Sequence, residues 1–190
     1  DPNRLLKAGA VAATLDLPID PNLGFSYIVP YNSRGKNEAQ FQMGYKGFIQ
    51  LAIRSAQYRK INVAELYEGQ FISYDPITDT LECNINNKIS DTVTHYIAYF
   101  KTLNGFDKYN VMSKDEIINH AKKFSKTYSS KYSPWVTHFE SMAKKTVLKL
   151  LLSKFGILSI KMQIAQKADQ AVIEEIDGDN IEVEYDTNCT

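Results

Sequence analysis

Residues 133–154 constrain this chain more than any other stretch. Ser133 can cap a helix, and Pro134 suits the first helical position, where a missing N–H costs nothing. Trp135, Phe139, Met142, Thr146 and Leu150 then recur at three- and four-residue steps, with Ala143, Val147 and Leu151 beside them. That spacing predicts one long helix, running to about Lys154 or Phe155, with an apolar stripe seated on a core. Trp135 and Phe139 are expected within that core. The other side carries His138, Ser141, Lys144, Lys145 and Lys149. Lys145 and Lys149 stand one turn apart, roughly 6 Å along the axis. Cations in a row on a pinned helix can follow a row of phosphates, although such a face is also the ordinary solvated side of a helix.

A second helix is expected over residues 38–57. Phe41, Tyr45, Phe48, Ile49 and Ala52 form its buried stripe, while Gln42, Lys46, Gln50 and Arg54 recur at i, i+4 on another face. The second stripe is made of phosphate- and base-capable donors. Gly44 and Gly47 each cost helix propensity, about 1 kcal/mol against Ala. Close approach of another backbone is the expected reason for them.

The remaining elements follow in order. Residues 3–15 read as a short helix ended by Pro18 and Pro21, residues 24–31 as a strand, and residues 32–37 as a polar turn carrying Arg34 and Lys36. Residues 61–111 alternate as antiparallel sheet, with strands near 61–67, 71–74, 81–85, 94–102 and 106–112 and turns at 68–69, 75–79 and 103–105. Ser113-Lys114-Asp115-Glu116 is a capping box opening a helix to about Phe124, whose end carries Lys122 and Lys123. In the loop 125–133, Lys126 and Lys131 interleave with Tyr128 and Tyr132. Cations beside aromatics suit single-stranded nucleic acid, and they also occur in plain surface linkers. Residues 160–170 add a helical turn or two, and residues 174–190 read as acidic and extended or flexible. The class is α+β: an antiparallel sheet with helices packed on it. A core over residues 1–160 and a short helix plus acidic tail over 161–190 are the expected domains.

Charge is unevenly spread. The 190 residues balance to zero, yet residues 1–100 carry −1, residues 101–161 carry +8 and residues 162–190 carry −7. A basic block followed by an acidic one points to a polyanionic partner, or to a tail that neutralises the block. Cys83 and Cys189 form no metal-spaced pair, so a reduced, cytoplasmic setting is expected. No apolar run approaches the ~20 residues of a membrane span, no signal-peptide pattern is present, and the start at Asp1 leads us to expect further residues before it.

Motifs for catalysis are missing. GxxxxGK[ST] and HExxH do not occur, and His95, His120 and His138 are scattered. No metal ligands and no cofactor are expected. Asp75, Asp79 and Glu82 could form a metal-dependent nuclease cluster, although Asp75-Pro76 reads as a turn.

Two ordered motifs carry a resemblance. Residues Gln40 to Ser55 (QFQMGYKGFIQLAIRS) and Pro134 to Thr146 (PWVTHFESMAKKT) closely resemble the RecT family of phage single-strand annealing proteins. Ile28-Val29-Pro30-Tyr31 and Leu66-Tyr67-Glu68-Gly69 fit the same pattern in the right order, and the match covers roughly residues 2–160. The resemblance implies a non-catalytic, ATP-independent recombination protein that binds single-stranded DNA and holds an annealed duplex. It also implies a ring or helical filament of copies, work with a phage exonuclease, and a core resembling the eukaryotic single-strand annealing proteins. A host single-strand binding protein is a further expected partner. On the implied basic motif positions stand Lys46, Arg54, Lys144, Lys145 and Lys149. Adding our own reading of the residues, the candidate DNA contacts are Lys46, Arg54, Lys122, Lys123, Lys126, Lys131, His138, Lys144, Lys145 and Lys149. The 42–54 and 133–154 helices are expected to present basic walls to a strand. The alternatives are a DNA-processing nuclease and a structural phage protein.

Overall fold

A computed structural model describes residues 2–33 and 36–184. Its elements are α1 (Pro2–Thr14), β1 (Ser26–Ser33), β2 (Lys36–Met43), α2 (Tyr45–Arg54), β3 (Tyr58–Tyr67), β4 (Phe71–Asp75), β5 (Thr80–Cys83), β6 (Val93–Thr102), β7 (Asp107–Ser113), α3 (Lys114–Phe124), α4 (Pro134–Thr137), α5 (Phe139–Phe155), α6 (Ile160–Ala168), β8 (Ala171–Asp177) and β9 (Asn180–Glu184). All strand pairings among the described residues are antiparallel, which makes the fold α+β as expected. The side chains of the expected 32–37 turn, Arg34 and Lys36 included, and the tail from Tyr185 with Cys189 lie outside the described residues. The chain divides into two compact units, one of residues 1–56 with 157–190 and one of residues 57–156.

The first unit is a four-stranded sheet in the order β1-β2-β8-β9. Helix α1 lies on β2 and β8, burying Ala8, Val11 and Ala12. Its cations reach the sheet as well. Arg4 donates to the Ile173 carbonyl at 2.9 Å and pairs with Glu174 at 2.5 Å and Glu38 at 3.5 Å, while Lys7 donates to the Glu174 carbonyl. Buried Asp169 accepts the Met43 N–H at 2.9 Å, and Gln170 N–H donates to the Phe41 carbonyl at 3.0 Å, which ties the end of α6 to β2.

Two expectations are corrected in this unit. The 38–57 helix starts only at Tyr45, because residues 36–43 pair in full register with β1. Glu38, Ala39 and Gln40 favour helix locally, and a neighbouring strand overrides that preference. Residues 174–184, expected within an acidic tail that is extended or flexible, are extended but not a loose tail, since with residues 171–173 they form a paired hairpin. Val172, Ile173 and Ile181 are buried there, and Arg4 answers the acids.

The second unit is built on the sheet β3-β6-β7, with β4-β5 as a separate two-stranded ribbon. Cross-strand partners share a face, so Ile61, Val63 and Glu65 line up with Phe100, Ala98 and Tyr96 and with Lys108, Asn110 and Met112. Helix α5 covers that face: Asn110 donates to the Val147 carbonyl at 2.8 Å, Lys144 pairs with Glu65 at 2.6 Å, and the Tyr96 hydroxyl donates to Glu140 at 2.6 Å. The β4-β5 ribbon meets the edge of β7. Asp79 accepts the Tyr109 N–H at 3.0 Å and pairs with Lys108 at 2.9 Å, so an otherwise open strand edge is blocked.

The expected starts of both later helices are correct. Ser113 and Glu116 close the capping box before α3, and Ser133 caps Trp135 N–H with Pro134 at the first position of α4. The single long helix is not. It breaks at His138 (φ −140°, ψ 47°) into α4 and α5. Val136 and Thr137 sit back to back there, and two β-branched residues in succession weaken a helix.

Candidate nucleic-acid interface

Nine of the ten candidate contacts separate into three groups, and His138 stands apart at the break between α4 and α5. Lys46 and Arg54 belong to the first unit, on α2, and the other eight to the second. Lys46 is exposed in the first turn of α2, which contains no acid. Such a helix start favours anions. Arg54 is partly committed, donating to the Asp16 carbonyl at 2.7 Å and pairing with its carboxylate at 3.4 Å. It braces the chain that follows α1. Gln42 lies on β2, outside the expected helical stripe.

Helix α2 explains its glycines. A Cβ on Gly44 would stand 2.1 Å from the Gly24 carbonyl oxygen, and one on Gly47 would stand 2.2 Å from the Phe25 carbonyl oxygen. Gly44 N–H donates to that same Phe25 oxygen at 2.9 Å. The expected close backbone approach is present, and it positions Lys46.

Lys144, Lys145 and Lys149 do not form an outward row. Helix α5 is buried through most of its length, and Lys145 is only 5 % exposed. Lys144 is drawn to the sheet by Glu65, whose carboxyl is held below its ordinary value chiefly by that hydrogen bond, with the Tyr67 hydroxyl adding to it. Lys149 is half-buried. The periodicity correctly identified a core helix. It misjudged the width of the buried face, because Leu148 and Leu152 add a second buried stripe on the lysine side.

The exposed cations gather instead at the C-terminal end of α3 and in the loop after it. Lys122, Lys123, Lys126 and Lys131 are all exposed there. Helix α3 also packs on α5. His120, one turn before Lys123, is half-buried, and its pKa is lowered first by burial and then by the charges of Lys123 and Lys149. That shift links two candidate cations, from different helices, to one electrostatic patch. The signal in the sequence is the i, i+3 spacing of His120 and Lys123, which a view of His120 as one of three scattered histidines passes over.

Aromatic side chains back this surface. Trp135 is buried and lies 6.2 Å from Tyr128 and 5.9 Å from Phe139, ring centre to ring centre, and Phe139 is 6.2 Å from Tyr96. Trp135 is therefore core, as expected. Tyr132 is 93 % exposed, and His138 is exposed at the helix break.

The alternative carboxylate cluster has structural partners throughout. Asp75 accepts from the Ile77 N–H and the Thr78 hydroxyl, both at 2.8 Å. Asp79 holds Tyr74, Lys108 and Tyr109, and Glu82 accepts from Ser73 at 3.3 Å. The Asp75–Asp79 turn is the expected one, built on an aspartate accepting the N–H two residues on. Among the described residues no group of three or more His, Cys, Asp and Glu is arranged to hold a metal, and no helix is long and apolar enough to cross a membrane.

Comparison with known proteins now adds to this geometry. The model of the RecT family matches residues 1–184. The uncharacterized protein YqaK of Bacillus subtilis (strain 168) is 45 % identical over 177 residues, covering 93 % of this chain and 60 % of that protein. Protein RecT of Escherichia coli (strain K12) is 31 % identical over 168 residues, covering 85 % of this chain and 61 % of that protein. The chain thus spans about three fifths of the length of these curated relatives.

Proposed function

The chain belongs to the RecT family, and from that premise we propose that it is a single-strand annealing protein of phage recombination. It binds single-stranded DNA through its backbone, without ATP and without catalysis, and holds the annealed duplex. Copies assemble along the strand as a ring or filament, in the cytoplasm of a bacterial host, with a phage exonuclease and the host single-strand binding protein as partners.

The observation that carries the reading is the exposed group Lys122, Lys123, Lys126 and Lys131, with Lys149 and His120 beside it. Annealing requires that strand charge be neutralised while base edges stay free to pair. Cations that grip phosphates do this without reading sequence. Repetition of such a surface along a strand makes binding multivalent. Lys46 at the start of α2 offers a second phosphate contact. No bond is made or broken in this scheme.

The test is annealing of two complementary labelled oligonucleotides without ATP or divalent metal, with a cleavage gel run in parallel. The expected result is faster duplex formation from strands that remain intact. Metal-dependent cleavage would favour the carboxylates of the β4-β5 ribbon, and the absence of any DNA interaction would leave a structural role.

A further inference from the structure

The face of the β3-β6-β7 sheet that α5 does not cover is graded from closed to open. At one end Phe71 of β4 stacks on His95 at 3.9 Å, and Leu66 and Ile97 are buried. At the other end nothing among the described residues covers it so fully. Two cross-strand rows lie there. Lys60, Lys101 and Asp107 face one another, and Asn62, Tyr99 and Tyr109 form the next row. Successive rows on one face are two residues apart, roughly 7 Å along the strands. Lys60, Asn62 and neighbouring Ala64 are exposed, and Lys101 and the two tyrosines are half-exposed. Tyr109 stacks on Tyr99 with ring centres 4.6 Å apart. Asp107 fixes the tip of the Tyr99 ring, accepting from its hydroxyl at 3.1 Å, and meets Lys101 at 3.3 Å.

We infer that this open sheet end is a base-stacking site for single-stranded nucleic acid, with Tyr99 as the platform. The inference rests on the single-strand-binding reading above and adds to it a place for the bases. A ring stacked on one side and held at its hydroxyl is pre-oriented for a base on the other. Lys60 and Lys101, with exposed Arg59 at the adjoining bulge, exceed the single charge of Asp107 and suit a phosphate backbone. The amide of Asn62 can donate to a phosphate oxygen, which leaves base edges free. The lysine-aspartate row suits a protein partner less well, since Lys and Asp are depleted from the centres of protein interfaces, whereas tyrosines alone would suit either occupant.

Binding of a thymidine oligonucleotide and of an abasic strand of equal length is compared by fluorescence anisotropy, using the full chain, Tyr99→Leu and Tyr99→Phe. The expected result is a preference of about tenfold for the base-bearing strand in the parent chain. Tyr99→Leu loses that preference with unchanged abasic affinity, and Tyr99→Phe keeps it. Equal parent affinity for the two strands, or a preference that survives Tyr99→Leu, overturns the inference and leaves the annealing reading standing. A parent chain that binds neither strand overturns both. Ultraviolet cross-linking of the unmodified chain to a 5-iododeoxyuridine strand needs no variant: attachment at Tyr99 supports the site, and attachment confined to other segments overturns it. If Tyr99→Leu alters only self-association in sedimentation, the face is an interface between copies and the inference fails.

Discussion

Gly47 shows how one side chain, or its absence, sets a local structure. Its position against the Phe25 carbonyl leaves no room for a methyl group, and the obstacle is backbone rather than a flexible side chain. Gly47→Ala should therefore destabilise the chain by about 1–3 kcal/mol, through overpacking that exceeds the gain in helix propensity. Urea denaturation measures this, and an unchanged midpoint would mean that the backbone at Phe25, just before β1, gives way freely. Titration offers a second test. Burial lowers His95 and His120 below the ordinary 6.5, so each stays neutral in the fold while the unfolded chain takes up a proton. Stability present above pH 6.5 is thus lost as pH falls below it. Glu65 extends the loss to lower pH, because its paired carboxylate must be protonated as pH falls through its lowered value. The expected pH profile of the melting temperature declines from near pH 6.5. A flat profile down to pH 5 would exclude the histidines as its cause.

At the scale of elements, α3 and α5 divide the work. Helix α5 is a core element: Lys144 is engaged with the sheet, Lys145 is buried and Lys149 half-buried, and Lys154 in its last turn is exposed. The end of α3 with its loop is the accessible cationic element. Replacing Lys122, Lys123, Lys126 and Lys131 together by Ala should weaken single-strand binding alike for all sequences. It should also flatten the slope of log affinity against log salt by up to about 3, at roughly 0.7 per phosphate contact. Filter binding across a salt series measures both quantities, and an unchanged slope would remove this element from the interface. The circular dichroism spectrum should stay that of the parent chain, since all four side chains are exposed.

Over the whole molecule, the dipolar charge layout resolves into the two units. Residues 57–156 carry fourteen Lys and Arg against ten Asp and Glu, a net +4, and the remaining residues carry −4. The acids near the C-terminus are partly occupied within the first unit, where Arg4 lowers the pKa of Glu174 by direct hydrogen bonding. Removal of residues 171–190 would strip two strands from the β1-β2-β8-β9 sheet and uncover Phe41, Ala8 and Val11. The expected outcome is lost cooperative unfolding in the first unit, seen in calorimetry. A truncated chain that melts as the parent does would make the hairpin dispensable.

How much of this was legible follows from where each signal resides. Caps are local: Ser113 and Glu116 are three residues apart and Ser133 and Pro134 are adjacent, so the sequence alone determined where α3 and α4 begin. The alternation of residues 94–102 and the turn at 103–105 likewise specified a hairpin, and the 40–55 and 134–146 motifs specified the family. What only the tertiary structure decided depends on distant partners. Residues 36–43 became strand because β1 pairs with them, against their helical preference. Lys145 was buried because Leu148 and Leu152 widen the packed face of α5, and Lys144 turned inward because Glu65, far away in sequence, lies opposite. The site divides in the same way. A lysine's presence in a basic block is a property of the chain, but its exposure depends on what packs around it, and spacing along one helix does not contain that information.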